Sequence, residues 1–239
     1  MKISLTEARN LLAPIGAEGR LKWGLEEFGE NFALTTSFGI QSAVLLHMIS
    51  NIEGGSKTPI IWIDTGYLPS ETYRYAEELS TRLKINLQIF QSSISAARME
   101  AIYGKLWETG SISDFEKYHE LRKVEPLENG FNALSVKCWA SGVRGTQTDH
   151  RKSMNILDEV RGRFSLRPLL EWSKKETYYY MQTHKLPQHP LFEKGYSTVG
   201  DWHSSSADGK TSKGRETRFG GLKEECGIHL PSNKKGDAK

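Results

Sequence analysis

Cysteine is scarce in this chain: its 239 residues include only two, Cys138 and Cys226. Two thiols cannot build the disulfide framework of a small secreted scaffold. Nor can they supply an all-cysteine zinc site or an iron–sulfur cluster, each of which takes more thiolates. Long apolar runs are missing as well; none approaches the roughly eighteen residues of a membrane helix, so no membrane association is expected. The opening Met1-Lys2-Ile3-Ser4-Leu5-Thr6-Glu7 has no apolar stretch of the secretory kind. With so few cysteines, a reducing cytosol is the expected compartment. His47, His119, His150, His184, His189, His203 and His229 show no metal-ligand spacing such as His-Glu-x-x-His, so no metal is expected. A net charge of +3 is too small to argue for nucleic acid, and aromatic and basic residues are not interleaved in the RNA-binding manner.

What charge there is, is clustered. Residues 137–175 hold Lys137, Arg144, Arg151, Lys152, Arg161, Arg163, Arg167, Lys174 and Lys175 against four acidic residues, and Arg215, Arg218 and Lys223 follow later. The residues alone allow a solvated cationic face or a pocket for a compact polyanion.

The hydrophobic pattern alternates strands with helices. Helices are expected over 5–12 and 17–28, and a strand over Phe32-Ala33-Leu34-Thr35-Thr36 runs into Ser37-Phe38-Gly39-Ile40-Gln41-Ser42 and an apolar helix. Ile60-Ile61-Trp62-Ile63 is a continuous apolar run, as suits a strand covered on both faces. A helix from Pro69 to Leu83 and a third strand over 85–90 follow, so the fold class is α/β with a doubly wound, mainly parallel sheet. Residues 95–131 read as helical with breaks near Gly110 and Pro126, residues 133–143 as a central strand, and 164–170 as a shorter one. Ser173 caps a helix to about His184. His47 is expected to face the core from its helix, and Cys138 to be a packed core residue. Residues 1–200 are read as one nucleotide-binding unit, and 201–239, rich in Gly, Ser and charge, as a mobile segment.

Three constellations carry chemistry. Ser37 to Ser42 lies between a strand and a helix, where small residues expose backbone N–H groups and hydroxyls add donors for an oxyanion. It is not a Walker A loop, because no Gly-Lys-Ser/Thr follows, and an ordinary turn with Ser42 as N-cap stays open. Asp64-Thr65-Gly66-Tyr67 stands at the carboxyl end of the second strand, where open α/β sheets bind ligands, although Asp64 can equally cap its own turn. Lys123, Arg144, Arg151, Arg215 and Arg218 are cations at strand ends and in loops, suited to phosphate and sulfate or to solvent. Near the end, Glu224-Glu225-Cys226-Gly227-Ile228-His229 holds a thiol that upstream cations push toward thiolate and the adjacent glutamates push back.

Ser37-Phe38-Gly39-Ile40-Gln41-Ser42, Asp64-Thr65-Gly66-Tyr67 with Glu71-Thr72-Tyr73, Arg122-Lys123-Val124-Glu125-Pro126-Leu127, Gly142-Val143-Arg144 and Glu225-Cys226-Gly227-Ile228-His229 occur together and in order. In this the chain resembles the assimilatory sulfonucleotide reductases, on the branch that takes 3′-phosphoadenylyl sulfate (PAPS), over roughly residues 15–230. The resemblance implies an adenine-nucleotide α-hydrolase-like fold with a modified pyrophosphate loop. It places Ser37, Gly39 and Ser42 on the phosphosulfate and Trp62, Asp64 and Gly66 at the adenosine. Lys123, Arg144, Arg151, Arg215 and Arg218 would take the sulfate and phosphates, and Cys226 would be the nucleophile, its thiol tuned by His229.

Reduced thioredoxin or glutaredoxin would be the electron donor, no cofactor would be bound, and a homodimer is implied by analogy. Relatives that use adenylyl sulfate (APS) carry cysteines for a [4Fe-4S] cluster at two places. Here these places read Tyr118-His119-Glu120-Leu121 and Gly200-Asp201-Trp202-His203, so the cluster is excluded and PAPS is favoured. Alternatives are an APS-using reductase without the cluster, an ATP pyrophosphatase or adenylyltransferase, and a non-catalytic nucleotide-binding module. Pyrophosphatases of this kind carry an acidic residue where Gln41 stands.

Overall fold

The computed structural model describes residues 3–209 and, beyond them, Gly214, Thr217 and Ile228. Arg215, Arg218, Cys226 and His229 lie outside the described residues. In chain order the elements are α1 (Leu5–Leu12), α2 (Ala17–Phe28), β1 (Phe32–Thr36), α3 (Ala43–Ser50), β2 (Pro59–Asp64), α4 (Ser70–Leu83), β3 (Asn86–Gln91), α5 (Ala96–Tyr103), α6 (Ile112–His119), α7 (Glu125–Ala133), β4 (Cys138–Ala140), α8 (Asp149–Lys152), β5 (Leu157–Val160), β6 (Arg163–Leu166) and α9 (Lys174–Thr183). Local chemistry explains several of the boundaries. Capping boxes open α1 (Ser4 with Glu7) and α9 (Ser173 with Glu176), each side chain satisfying a backbone N–H that the first turn leaves without a partner.

The strands form one sheet in the order β3-β2-β1-β4-β6-β5, parallel throughout except for β5, which pairs antiparallel with β6. Side chains alternate between its faces. Phe32, Leu34, Ile60 and Trp62 join the larger core with α2, α3 and α4. Ala33, Ile61 and Trp139 pack on the opposite face under Leu127 and Phe131 of α7. Helices on both faces explain why β1 and β2 read as near-continuous apolar runs.

The structure corrects four expectations. The central strand is not 133–143 but only Cys138–Ala140. The helix before it continues to Ala133, and Ser135, at φ 51°, turns the chain back so that the Val136 N–H donates to Phe131 O at 2.8 Å. Pro126 does not break the helical run: it stands at the start of α7, directly after residues that are themselves helical. Residues Glu120–Val124 just before it widen into a π-helical turn. The shorter strand read over 164–170 is β6, only Arg163–Leu166, and its antiparallel partner β5 was not anticipated, because the turn between them, Arg161-Gly162 with φ 53° and 73°, sits among charged residues. His47 is half-buried rather than core-facing, with Nδ1 2.9 Å from the Tyr180 hydroxyl on α9.

Candidate active site

The order of the sheet sets where a site can form. From β1 the chain winds out to β2 and β3 on one side, and β4 lies against β1 on the other, so the loops after β1 and β4 part at the carboxyl edge. A cavity of about 230 Å³ opens there. Its walls come from the loop after β1 (Ser37, Gly39, Ser42), from Trp62 and Thr65 of the β2 end, from Ser141 to Arg144 after β4, and from residues 197–201.

The loop after β1 is shaped by Phe38. It holds φ 45°, a region that non-glycine residues seldom occupy, and its N–H donates to Thr36 Oγ1 at 3.1 Å. That twist drives the Phe38 ring into the core edge-on to Trp62, with centroids 4.9 Å apart. Ser37 and Gly39 are left at the cavity wall. Ser42 does not cap α3 with its side chain; its hydroxyl donates to Gly39 O at 2.8 Å and closes the turn from within.

Three of the expected cations meet at this cavity, and all are buried. Arg144 is 7% exposed, and among the described residues its guanidinium has no acidic partner and its Nε no hydrogen bond. Burial, and then the charge of Arg151, push Arg144 down to about 10, which leaves it cationic at neutral pH. Arg151 is buried beside it, and its Nη1 donates to Gln147 Oε1 at 2.5 Å. The same oxygen accepts the Arg144 N–H at 3.0 Å, so Gln147 sets both arginines. Lys123 pairs with Asp201, Nζ to Oδ2 at 2.5 Å. Buried like charges in proximity are costly, and an oxyanion between Arg144 and Arg151 would relieve them through charge-assisted hydrogen bonds.

Ser37, Gly39, Ser42, Trp62, Lys123, Arg144 and Arg151 thus share one cavity, whereas Asp64 and Gly66 are not part of its lining. Asp64 Oδ1 accepts from the Gly66 N–H at 2.8 Å and the Tyr73 hydroxyl at 2.6 Å, and Oδ2 accepts from Gln91 at 2.6 Å. It joins the turn after β2 to α4 and β3. Gly66 needs its φ of 75°, and a Cβ there would come within 3.0 Å of Arg122 Nη2.

Sequence reasoning missed Arg122, Gln147 and Asp201. Arg122 is buried, with Nε donating to Thr65 O at 2.8 Å, Nη1 to Ile94 O at 2.5 Å, and Nη2 also to Thr65 O. Only the position of Gln147, three after Arg144 and four before Arg151, could have pointed to its role. The two segments without cysteines also meet: His203 Nε2 lies 3.0 Å from the Tyr118 hydroxyl, and the His203 ring stacks on Trp107 at 4.0 Å. The packed body therefore continues past residue 200.

Comparison with known proteins agrees with this geometry. Residues 31–207 match the phosphoadenosine phosphosulfate reductase domain. A phosphoadenosine 5′-phosphosulfate reductase of a Synechococcus strain is 52% identical over 228 residues, covering 95% of this chain and 97% of that protein. One from a Synechocystis strain is 43% identical, covering 96% and 92%. Among solved structures, a Candida auris PAPS reductase in a phosphate complex superposes with a TM-score of 0.73 at 26% identity, over 86% of this chain and 99% of that one. Candida glabrata FMN adenylyltransferase reaches 0.60 at 16% identity, over 83% and 69%, a likeness of fold alone. With an adenine-nucleotide α-hydrolase-like sheet, a cation-lined cavity at its switch point and this kinship, the chain belongs to the phosphoadenosine phosphosulfate reductase family of oxidoreductases.

Proposed function

We propose that the chain reduces PAPS to sulfite and adenosine 3′,5′-bisphosphate, with Cys226 as nucleophile and reduced thioredoxin, or glutaredoxin, as electron donor. The observation that carries this reading is Arg144, a buried guanidinium without an acidic partner among the described residues, on the wall of a cavity at the strand carboxyl ends. Ile228, two positions after Cys226, also lines the cavity, and its carbonyl accepts from Arg161 Nη2 at 2.5 Å, which supports a thiol close by.

The Cys226 thiolate forms a bond to the sulfuryl sulfur as the S–O bond to the 5′-phosphate breaks, and the electron pair leaves on the phosphate oxygen. Arg144 and Arg151 disperse the charge that develops there, with Arg215 and Arg218 as further cations. Ser37, Gly39 and Ser42 face the phosphosulfate. Trp62 borders the adenosine, while Asp64 and Gly66 act through the turn they hold. A donor thiolate then attacks Cys226 Sγ and expels sulfite, leaving a mixed disulfide. The donor's second thiol opens it, so the donor leaves as a disulfide and Cys226 returns to a thiol. Two electrons have passed to sulfur. His229 is read as tuning the thiol.

Intact mass spectrometry of reduced protein mixed separately with PAPS and with APS, without donor, tests this. The expected result is a gain of one SO₃ unit mapped to Cys226, faster with PAPS. Cys226→Ser should still bind adenosine 3′,5′-bisphosphate yet release no sulfite when thioredoxin is supplied. Sulfite from that variant overturns the nucleophile assignment, a faster gain with APS overturns the substrate, and no adduct with either leaves a binding module.

A further inference from the structure

One wall of the cavity, residues 197–201, belongs to no strand or helix. Among the contacts that hold it, two reach the loops after β1 and β2. Val199 packs with Ile40 and Leu191, against the loop after β1. At the other end Asp201, 0% exposed, reaches to the end of β2: its Oδ1 accepts from the Thr65 hydroxyl at 2.5 Å, and its Oδ2 pairs with Lys123 at 2.5 Å. The next residue continues the seam, as the Trp202 N–H donates to Tyr67 O at 2.7 Å. Behind Asp201 the turn is closed by its own carbonyl, which accepts from the hydroxyls of Ser204 at 3.2 Å and Ser205 at 2.9 Å.

A carboxylate with no exposure, beside a lysine 6% exposed, is strongly disfavoured unless each charge holds the other. The ammonium of Lys123 is therefore fixed by Asp201 at the cavity wall, and wall and ammonium are placed together. The π-helical turn Glu120–Val124 is what brings Lys123 and Arg122 to the Thr65 turn from two directions, Lys123 through Asp201 and Arg122 directly.

We infer that Asp201 is a positioning residue of the reaction: through Lys123 and Thr65 it fixes the 197–201 wall and the lysine charge against the β2 turn, and does so without touching the nucleotide. This rests on the reading of the cavity as the PAPS site.

Single-turnover S-sulfonate formation with PAPS, nucleotide affinity and melting temperature would be measured for the full chain, Asp201→Asn, Thr65→Val and Asp201→Asn with Lys123→Met. In Asp201→Asn the rate should fall about 10- to 100-fold while affinity for adenosine 3′,5′-bisphosphate changes by less than about threefold, as expected of displaced geometry. Thr65→Val, which removes one anchor and keeps the ion pair, should show a smaller fall of the same kind. The double variant, with both buried charges gone, should regain melting temperature relative to Asp201→Asn but not rate. Equal rates in wild type and Asp201→Asn overturn the inference. So does a loss of affinity parallel to the loss of rate, which would make the pair part of the ligand site. If Asp201→Asn does not fold, Thr65→Val alone decides: an unchanged rate there is equally fatal. A wild-type protein that forms no adduct at all overturns the function and is thereby distinguishable.

Discussion

At the scale of single residues, two buried bases carry opposite consequences. Arg144 keeps its charge in a buried place at the cavity. Arg144→Met should therefore weaken binding of adenosine 3′,5′-bisphosphate by about 10- to 100-fold, the loss of a charge-assisted hydrogen bond, while leaving the melting temperature unchanged or raised. Isothermal titration with each protein checks this, and unchanged affinity removes Arg144 from the site. His189 behaves in the other sense. It is fully buried between Thr72, whose hydroxyl is 3.0 Å from Nε2, and the Leu191 N–H, which donates to Nδ1 at 3.1 Å. Burial lowers it from 6.5 to about 4. The unfolded chain then takes up its proton first, so this contribution to stability is complete above about 6.5 and declines as pH falls toward 4. The whole effect is at most about 3 kcal/mol, at 1.36 kcal/mol for each unit of difference. Urea midpoints followed through that range should fall less steeply for His189→Gln than for the wild type; identical slopes would locate the acid sensitivity elsewhere.

At the scale of elements, close approach between α2 and β1 is paid in side-chain volume at Gly24. A Cβ there would meet the Phe32 ring at 2.6 Å, closer than real Cβ atoms come. In an exposed helix glycine to alanine is favourable by about 1 kcal/mol. Here overpacking reverses the sign, and Gly24→Ala should destabilise by about 1–3 kcal/mol in urea unfolding. A gain in stability would show that α2 can ride outward. The elements themselves were largely legible. Caps, apolar runs and turn residues placed α1, α2, β1, α3, β2, α4, β3 and α9 within a residue or two, because each rests on local chemistry. What was not legible depends on partners distant in sequence. The short β4 is a strand only because β1 and β6 flank it. The β5–β6 hairpin has Asp158 and Glu159 in its first strand, and the Asp158 charge is met by Arg9 and Arg167. The same distinction runs through the candidate site: the loops after strands that were singled out in sequence line the cavity, whereas Gln147 and Asp201 make contacts that no spacing announces.

At the scale of the whole molecule, the candidate site lies along one edge of the sheet, and the family match over residues 31–207 spans every strand that builds it. Cys138 lies at the opposite extreme from reactivity. It is the first residue of β4, hemmed in by β1 and β6, with no exposure and a thiol that burial pushes far up. In a Cys226→Ser background it becomes the sole sulfhydryl of the chain. A thiol reagent in excess should then mark the protein only when the sheet comes apart, so the marking rate counts global openings in native buffer and should climb with urea. A rate indifferent to urea would mean that β4 is reached by a local breach. A bound nucleotide delays every opening in proportion to its occupancy. Cys138 is thus a ready gauge for ranking ligands of a protein from which the proposed nucleophile has been removed.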